Sequence, residues 1–311
     1  SYLFIEKFFR DKKRINFKNT LIFLLTAYVI IIVLSLKIVK NDGYETRFKD
    51  LKIFYGINNP DNTFLRKKSW SNLNNKIVFK KSDEKKNILF VGDSLSKDMF
   101  NIFDQNKKLF SEYNFARFGG ALHSQSLKII NFHPKAKNSD TEMTINRISK
   151  DINFKNSDIV VISNRFNKKE VESLDNLVSF LQSNKKKVVL TSNANEYKTY
   201  KGPYRTLVDI EILKAYKNKS KPDFSDIKFK MFNSRLIKDY ENINLLLENF
   251  ANEKNIIFLK KNEFLCNETK KECEALTPKG FKIHYDYNHI TLEGAKYLGY
   301  KIYKKNWFKI N

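Results

Sequence analysis

Gly92-Asp93-Ser94-Leu95 follows the apolar run Asn87-Ile88-Leu89-Phe90-Val91, and Asp286-Tyr287-Asn288-His289 stands near the other end of the chain. Together they supply a serine, a carboxylate and an imidazole in the order Ser94, Asp286, His289. Nucleophilic acyl transfer needs this set: a hydroxyl to attack, a base to take its proton, and a carboxylate to orient the base. An Asp three residues ahead of a His can fold back to accept its Nδ1–H, which leaves Nε2 free to receive the serine proton. The chain has only 4 His in 311 residues, so a chance Asp–His pair at this spacing is uncommon.

These side chains need elements to hold them. Ile88 to Val91 reads as a short buried strand, and Gly92 permits a sharp turn after it. Leu95, Met99, Phe100 and Phe103 then recur at helical spacing. Ser94 is therefore expected at a strand-to-helix turn on the C-terminal edge of a sheet, where open α/β sheets bind their ligands. The helix N-terminus offers free N–H groups to a developing oxyanion; the alternative role for Asp93-Ser94 is a helix cap alone. Thr291-Leu292-Glu293-Gly294-Ala295 opens another helix just after His289. Strands are expected at 88–91, 113–118, 158–163, 187–191 and 255–259. Helices are expected near 95–106, 139–150, 168–183, 205–218, 226–252 and 291–304. Alternating strands and helices predict an α/β fold: a parallel sheet with helices on both faces.

A membrane segment precedes this domain. Leu21 to Leu36 is apolar apart from Thr26 and Ser35, and the apolar character continues past Lys37 to Val39. That length is just enough to span a bilayer with Lys37 reaching the interface, which sets a transmembrane helix at 19–40. Lys7, Arg10, Lys12, Lys13, Arg14 and Lys18 put positive charge on its N-terminal side. Residues 1–18 are thus expected in the cytoplasm and the large C-terminal part outside it. A cleaved signal peptide fits poorly, because no Ala-x-Ala-like site follows. Residues 41–86 read as a juxtamembrane linker that can pack on the domain at 87–311. The formal net charge of +24 is spread along a Lys-, Asn-, Ile- and Phe-rich chain. Without a nucleic-acid motif it points to compositional bias or to anionic surfaces, and no nucleic-acid partner is expected.

Gly92-Asp93-Ser94-Leu95 and Asp286-x-x-His289 resemble the first and last sequence blocks of the SGNH hydrolases, also called the GDSL family. The resemblance implies an SGNH-hydrolase-like, flavodoxin-like three-layer fold with Ser94, Asp286 and His289 catalytic. In that family the middle blocks give a Gly N–H and an Asn amide to the oxyanion hole. Phe118-Gly119-Gly120 and Val160-Val161-Ile162-Ser163-Asn164-Arg165-Phe166 stand in those places. Gly119, Gly120 and Asn164 are thereby the oxyanion residues implied. The usual Gly-x-Asn-Asp is absent, so Arg165 is a rival to Asn164 and a candidate substrate contact.

Ser1-Tyr2-Leu3-Phe4-Ile5-Glu6-Lys7-Phe8-Phe9-Arg10 is similar to the Ser-Tyr-x-x-Ile-Glu-Lys-Pro-Phe-Arg stretch near the end of the acyltransferase-3 membrane domain, with Phe8 replacing Pro. Some of those proteins carry one further membrane helix, a linker and an extracytoplasmic SGNH domain. This implies that residues 1–18 are the cytoplasmic end of such a domain, and that the chain is an O-acyltransferase of a bacterial inner membrane with its C-terminal domain periplasmic. It would O-acetylate a cell-surface glycan through an acyl-serine. Acetyl-CoA would be used by the membrane domain, and no cofactor or metal is expected in residues 87–311. The expected partners are the glycan acceptor, the lipid bilayer and that membrane domain. The alternatives are an extracytoplasmic esterase and a non-catalytic surface-binding domain. Cys266 and Cys273, the only cysteines, are expected to be disulfide-bonded outside the membrane, as in similar fused SGNH domains. A two-Cys metal site is the alternative, though no second pair of ligands lies nearby.

Overall fold

A computed structural model of the chain describes residues 17–40, 62–74, 77–81, 84–118, 145–200, 205–218, 220, 222–236, 238–308 and 310. They fall into two compact units, one within residues 1–50 and one within 51–311. The first contains helix α1 (Phe17–Lys40). Its stretch Thr20–Lys40 has a mean hydropathy of 2.7 and is not buried. At the rise of an α-helix its 21 residues extend about 31 Å, roughly the thickness of a bilayer's hydrocarbon core.

The second unit is built on a five-stranded sheet. Its strands are β1 (Lys86–Val91), β2 (Tyr113–Arg117), β3 (Ile159–Ile162), β4 (Lys187–Thr191) and β5 (Ile257–Leu259). They run in the order β2-β1-β3-β4-β5, and each neighbouring pair is parallel. Side chains on a strand alternate between faces, and here both faces are apolar. Ile88, Phe90, Phe115, Ile159, Val161 and Val189 enter one core cluster. Leu89, Val91, Ala116, Val160, Ile162, Val188 and Leu190 enter the other. This is why β1, β3 and β4 read as apolar runs rather than alternating ones, while the edge strand β2 carries Asn114 and Arg117.

Helices α2 (Asn62–Ser71), α3 (Ser94–Asp104), α4 (Lys168–Glu172), α5 (Leu174–Ser183), α6 (Leu207–Lys217), α7 (Phe224–Asn233), α8 (Lys238–Glu253) and α9 (Leu292–Lys304) surround the sheet. Met99 and Phe103 of α3, Ile212 of α6, Met231 of α7 and Leu298 of α9 cover the first face. Leu177 and Leu181 of α5 and Leu247 of α8 cover the second. The result is a three-layer α/β arrangement, preceded in the chain by the apolar helix α1. Sheet order 2-1-3-4-5 has its switch point between β1 and β3, the place where such sheets open a crevice.

Two helices expected to be continuous are each divided. At 168–183 the break is Ser173, whose Oγ bonds back to the carbonyl of Glu170 at 2.9 Å and competes with the helical pattern. At 226–252 the break is tertiary. The backbone of Ser234 to Leu236 pairs with the loop after β4, through Lys198 N–H to Ser234 O and Leu236 N–H to Glu196 O. The stretch 41–86, expected as a linker, contains α2. Leu65 is buried on it, Leu73 joins the first core cluster, and Phe79 is 1% exposed in the second. Lys282 Nζ donates to Asn62 Oδ1 at 2.6 Å, tying the start of α2 to the segment before the Asp–His motif.

Candidate active site

Strand β1 delivers the chain to Gly92, whose φ is +144°. A Cβ there would meet the carbonyl oxygen of Ser163, at the end of β3, at 1.9 Å. Only glycine permits both the backbone conformation and this approach. Asp93 is the N-cap of α3, its Oδ1 accepting from Leu95 N–H at 2.8 Å. Its Oδ2 accepts from Arg165 N–H at 3.1 Å, and its own N–H donates to Asn164 Oδ1 at 3.0 Å. Asp93 therefore does cap the helix, and it also laces the end of β1 to the end of β3. Ser94, half-buried, is left as the first residue of α3 with its hydroxyl uncommitted to the cap.

The structure brings Ser94 to the distant histidine. His289 Nε2 lies 2.7 Å from Ser94 Oγ, and His289 Nδ1 lies 2.8 Å from Asp286 Oδ2. The other carboxylate oxygen, Asp286 Oδ1, accepts the backbone N–H groups of Asn288 at 3.0 Å and His289 at 2.8 Å. Burial alone would raise the Asp286 carboxyl, but the bonds from His289 and these backbone amides outweigh it and hold the group below its usual range. A carboxylate on Nδ1 fixes the proton there and turns the Nε2 lone pair to the serine. The imidazole lies parallel to the Tyr285 ring, 5.6 Å between centroids and 6° between planes, and meets Tyr287 edge-on at 5.8 Å.

Gly119 and Gly120 lie outside the described residues. Asn164, 1% exposed, spends its Oδ1 on Asp93 N–H, which orients the carboxamide and leaves its NH₂ as the donor end. Arg165 sits beside it at the rim. Its Nε and Nη2 engage Glu196 at 2.6 and 2.9 Å, and Nη2 also reaches Tyr240 Oη at 3.2 Å. Its guanidinium lies over the Tyr287 ring, 5.7 Å from the centroid. Glu196 and Tyr240, from the loop after β4 and from α8, carry no motif in the sequence. Lys97, Asp98 and Tyr285 are buried beside the site and carry no motif either, although a charged pair inside the apolar pattern of 95–103 is a signal that a sequence offers.

Cys266 and Cys273 form a disulfide across the two-stranded hairpin Cys266–Asn267 and Glu272–Cys273. Asn195 Nδ2 donates to Cys266 Sγ at 3.1 Å, so the hairpin also leans on the loop after β4. Among the described residues no group of three or more His, Cys, Asp or Glu is arranged to hold a metal.

A family described as "SGNH domain (fused to AT3 domains)" matches residues 62–304. No curated protein matches in sequence. Among solved structures, the periplasmic domain of a lipopolysaccharide acetyltransferase from Salmonella ser. Paratyphi A superposes with a TM-score of 0.55 at 15% identity, covering 79% of this chain and 97% of that one. An acetyl xylan esterase follows with a TM-score of 0.39 at 14% identity, covering 70% and 98%. A GDSL-like lipase from Bacteroides thetaiotaomicron gives 0.37 at 16% identity, covering 79% and 97%.

Proposed function

This chain belongs to the family of SGNH domains fused to AT3 domains, matched over residues 62–304, and from that premise we propose that it is an O-acetyltransferase acting on a cell-surface glycan through an acyl-Ser94 intermediate. Its domain is of the SGNH acyltransferase/esterase type. The observation that carries the proposal is the unbroken line Asp286 Oδ2–His289–Ser94 Oγ, with bonds of 2.8 and 2.7 Å.

In the first half-reaction Ser94 Oγ attacks the acyl carbonyl while His289 Nε2 takes its proton. The proton passes to the departing alcohol or thiol, and the acyl group stays on Ser94. In the second, His289 takes the proton of a sugar hydroxyl, whose oxygen attacks the acyl-serine. The new ester leaves and the proton returns to Ser94. The oxyanion of each step would rest on the Ser94 N–H at the start of α3 and on the Asn164 NH₂, with Gly119 and Gly120 proposed as further donors. Asp286 keeps the imidazole in its working tautomer and favours the imidazolium that forms.

The likeness of the fold to a lipopolysaccharide acetyltransferase periplasmic domain supports acetyl as the acyl unit and a surface glycan as the acceptor. A membrane acyltransferase domain using acetyl-CoA would supply the acetyl group from the N-terminal side. Cations ahead of α1 support an extracytoplasmic position for residues 62–311, and the disulfide fits an oxidising compartment.

The full chain in detergent, given an activated acetyl ester with and without surface glycan from its source, tests this. Acetyl recovered on the glycan is the expected result; acetyl recovered only as acetate makes the domain an esterase. Ser94→Ala should lower turnover by on the order of 10⁴ to 10⁶. Undiminished glycan acetylation in that variant would instead assign the domain a binding role.

A further inference from the structure

Helix α3 carries two charges inside the core. Lys97 and Asp98 are 0% and 3% exposed, while their neighbours Leu95, Met99, Phe100 and Phe103 are apolar and buried. Burying an ammonium is costly unless it is paired and hydrogen-bonded; here two hydroxyls accept from it and Asp98 pairs with its charge, although neither Asp98 oxygen makes a hydrogen bond among the described residues. Lys97 Nζ lies 2.6 Å from Asp98 Oδ1, 3.1 Å from Ser69 Oγ and 3.0 Å from Tyr285 Oη. It also sits 5.1 Å from the Trp70 ring centroid and 5.0 Å from that of Tyr285. Both partners outside α3 lead to the base. Ser69 Oγ donates to the carbonyl of Ile290, the residue after His289, at 3.0 Å. Tyr285 is the ring on which the imidazole lies parallel.

We propose that Lys97 is a positioning residue: from one turn beyond the nucleophile it clamps Tyr285 and Ser69, and so holds the His289 ring in the plane that meets Ser94 Oγ. This rests on the catalytic reading of Ser94 and His289 given above. The bonds to Ser94 and Asp286 hold the imidazole at its two nitrogens, and neither one fixes the tilt of the ring about the line through them. The route α3–Lys97–Tyr285–His289 closes a second connection between nucleophile and base, and packed rings with matched donors resist tilting. Asp98 is the counter-charge that keeps the ammonium inside; it does not reach the imidazole by hydrogen bond in the described residues. Small misplacements of a catalytic group cost up to about 100-fold in rate, so a clamp of this kind acts on kcat rather than on binding.

Two variants test it in the full chain held in detergent, with p-nitrophenyl acetate as the acyl donor. Tyr285→Phe keeps the ring and removes the hydroxyl that Lys97 grips. Lys97→Met/Asp98→Asn removes both charges together, so no lone charge stays buried. The reading is the single-turnover acylation constant, which counts folded molecules only. A three- to tenfold fall is expected for the first variant and about tenfold or more for the second, with KM within about twofold. The His289 Cε1–H resonance, displaced by the ring current of Tyr285, should move in both. Unchanged acylation constants and an unmoved resonance in both variants would overturn the inference. A wild-type chain inert to the ester, with Ser94 unreactive, would defeat the catalytic reading itself; the resonance alone then decides whether Lys97 fixes the ring.

Discussion

Each oxygen of Asp286 has its own task. Oδ2 holds the imidazole, and Oδ1 accepts the two backbone amides that curl the segment 286–289 back on itself. The carboxylate thus both orients the imidazole and pins the loop that carries it. Gly92 has the same double character on the serine side. Its φ of +144° turns the chain off β1, and the absence of a side chain lets β1 approach Ser163 O. Gly92→Ala should destabilise the domain by about 2–4 kcal/mol through backbone strain and collision. Denaturant titration checks this. An alanine variant as stable as the wild type would mean the turn relaxes without cost.

At the scale of elements, the site depends on loops at the C-terminal edge of the sheet being held from behind. Helix α2 braces the His289 segment through Ser69 and Asn62. The hairpin closed by Cys266 and Cys273 supports the loop after β4 through Asn195. Closing a loop with a sequence separation of 7 contributes about 2–3 kcal/mol on the chain-entropy model. Replacing both cysteines by alanine should lower the unfolding free energy by that amount, read from denaturant midpoints at constant slope. Equal midpoints would show that the hairpin is held by its packing alone. The capping box of α4, in which Asn167 and Glu170 bond each other's backbone, closes the first turn of the helix that follows Asn164 and Arg165.

The stability of the whole domain should depend on pH through a group that takes no part in the proposed chemistry. His284 is buried, its ring tilted against that of Tyr197, and among the described residues its Nδ1 has no hydrogen-bond partner. Burial pushes its imidazole down to about 4. The unfolded chain, with an ordinary His value near 6.5, takes up this proton first as the pH falls. The stability is therefore intact above about pH 6.5 and is lost as the pH drops to about 4, by on the order of 3 kcal/mol. Glu170 opposes it, since burial lifts its carboxyl to about 7 and favours the folded state on protonation. The difference between wild-type and His284→Asn stability profiles isolates the histidine. It should close steadily between pH 6.5 and 4; a constant difference would refute the assignment. Asp286, held below its usual value, contributes its own loss only at still lower pH.

Much of this protein is written locally. Short apolar runs, each ended by a polar or glycine break, predict β1, β3, β4 and β5, because strands buried on both faces need little else; the edge strand β2, with Asn114 and Arg117 in it, is the exception. Ser94, Asp286 and His289, which the structure brings within hydrogen-bonding distance of one another, could be singled out by residue type and short-range spacing. The apolar stretch of α1 was legible because length and composition alone decide whether a helix can cross a bilayer. What long-range packing decided was hidden. Ser173 and the pairing of residues 234–236 with 196–198 divide helices whose periodicity runs through. Helix α2 is polar enough to pass for linker until Asn62 and Ser69 find partners more than a hundred residues away in α6 and the His289 segment. The grip of Lys97 on Tyr285, and of Arg165 on Glu196 and Tyr240, joins residues 188, 31 and 75 positions apart. Side-chain donors find such partners only after the sheet has brought the strand ends together, so no local pattern announces them.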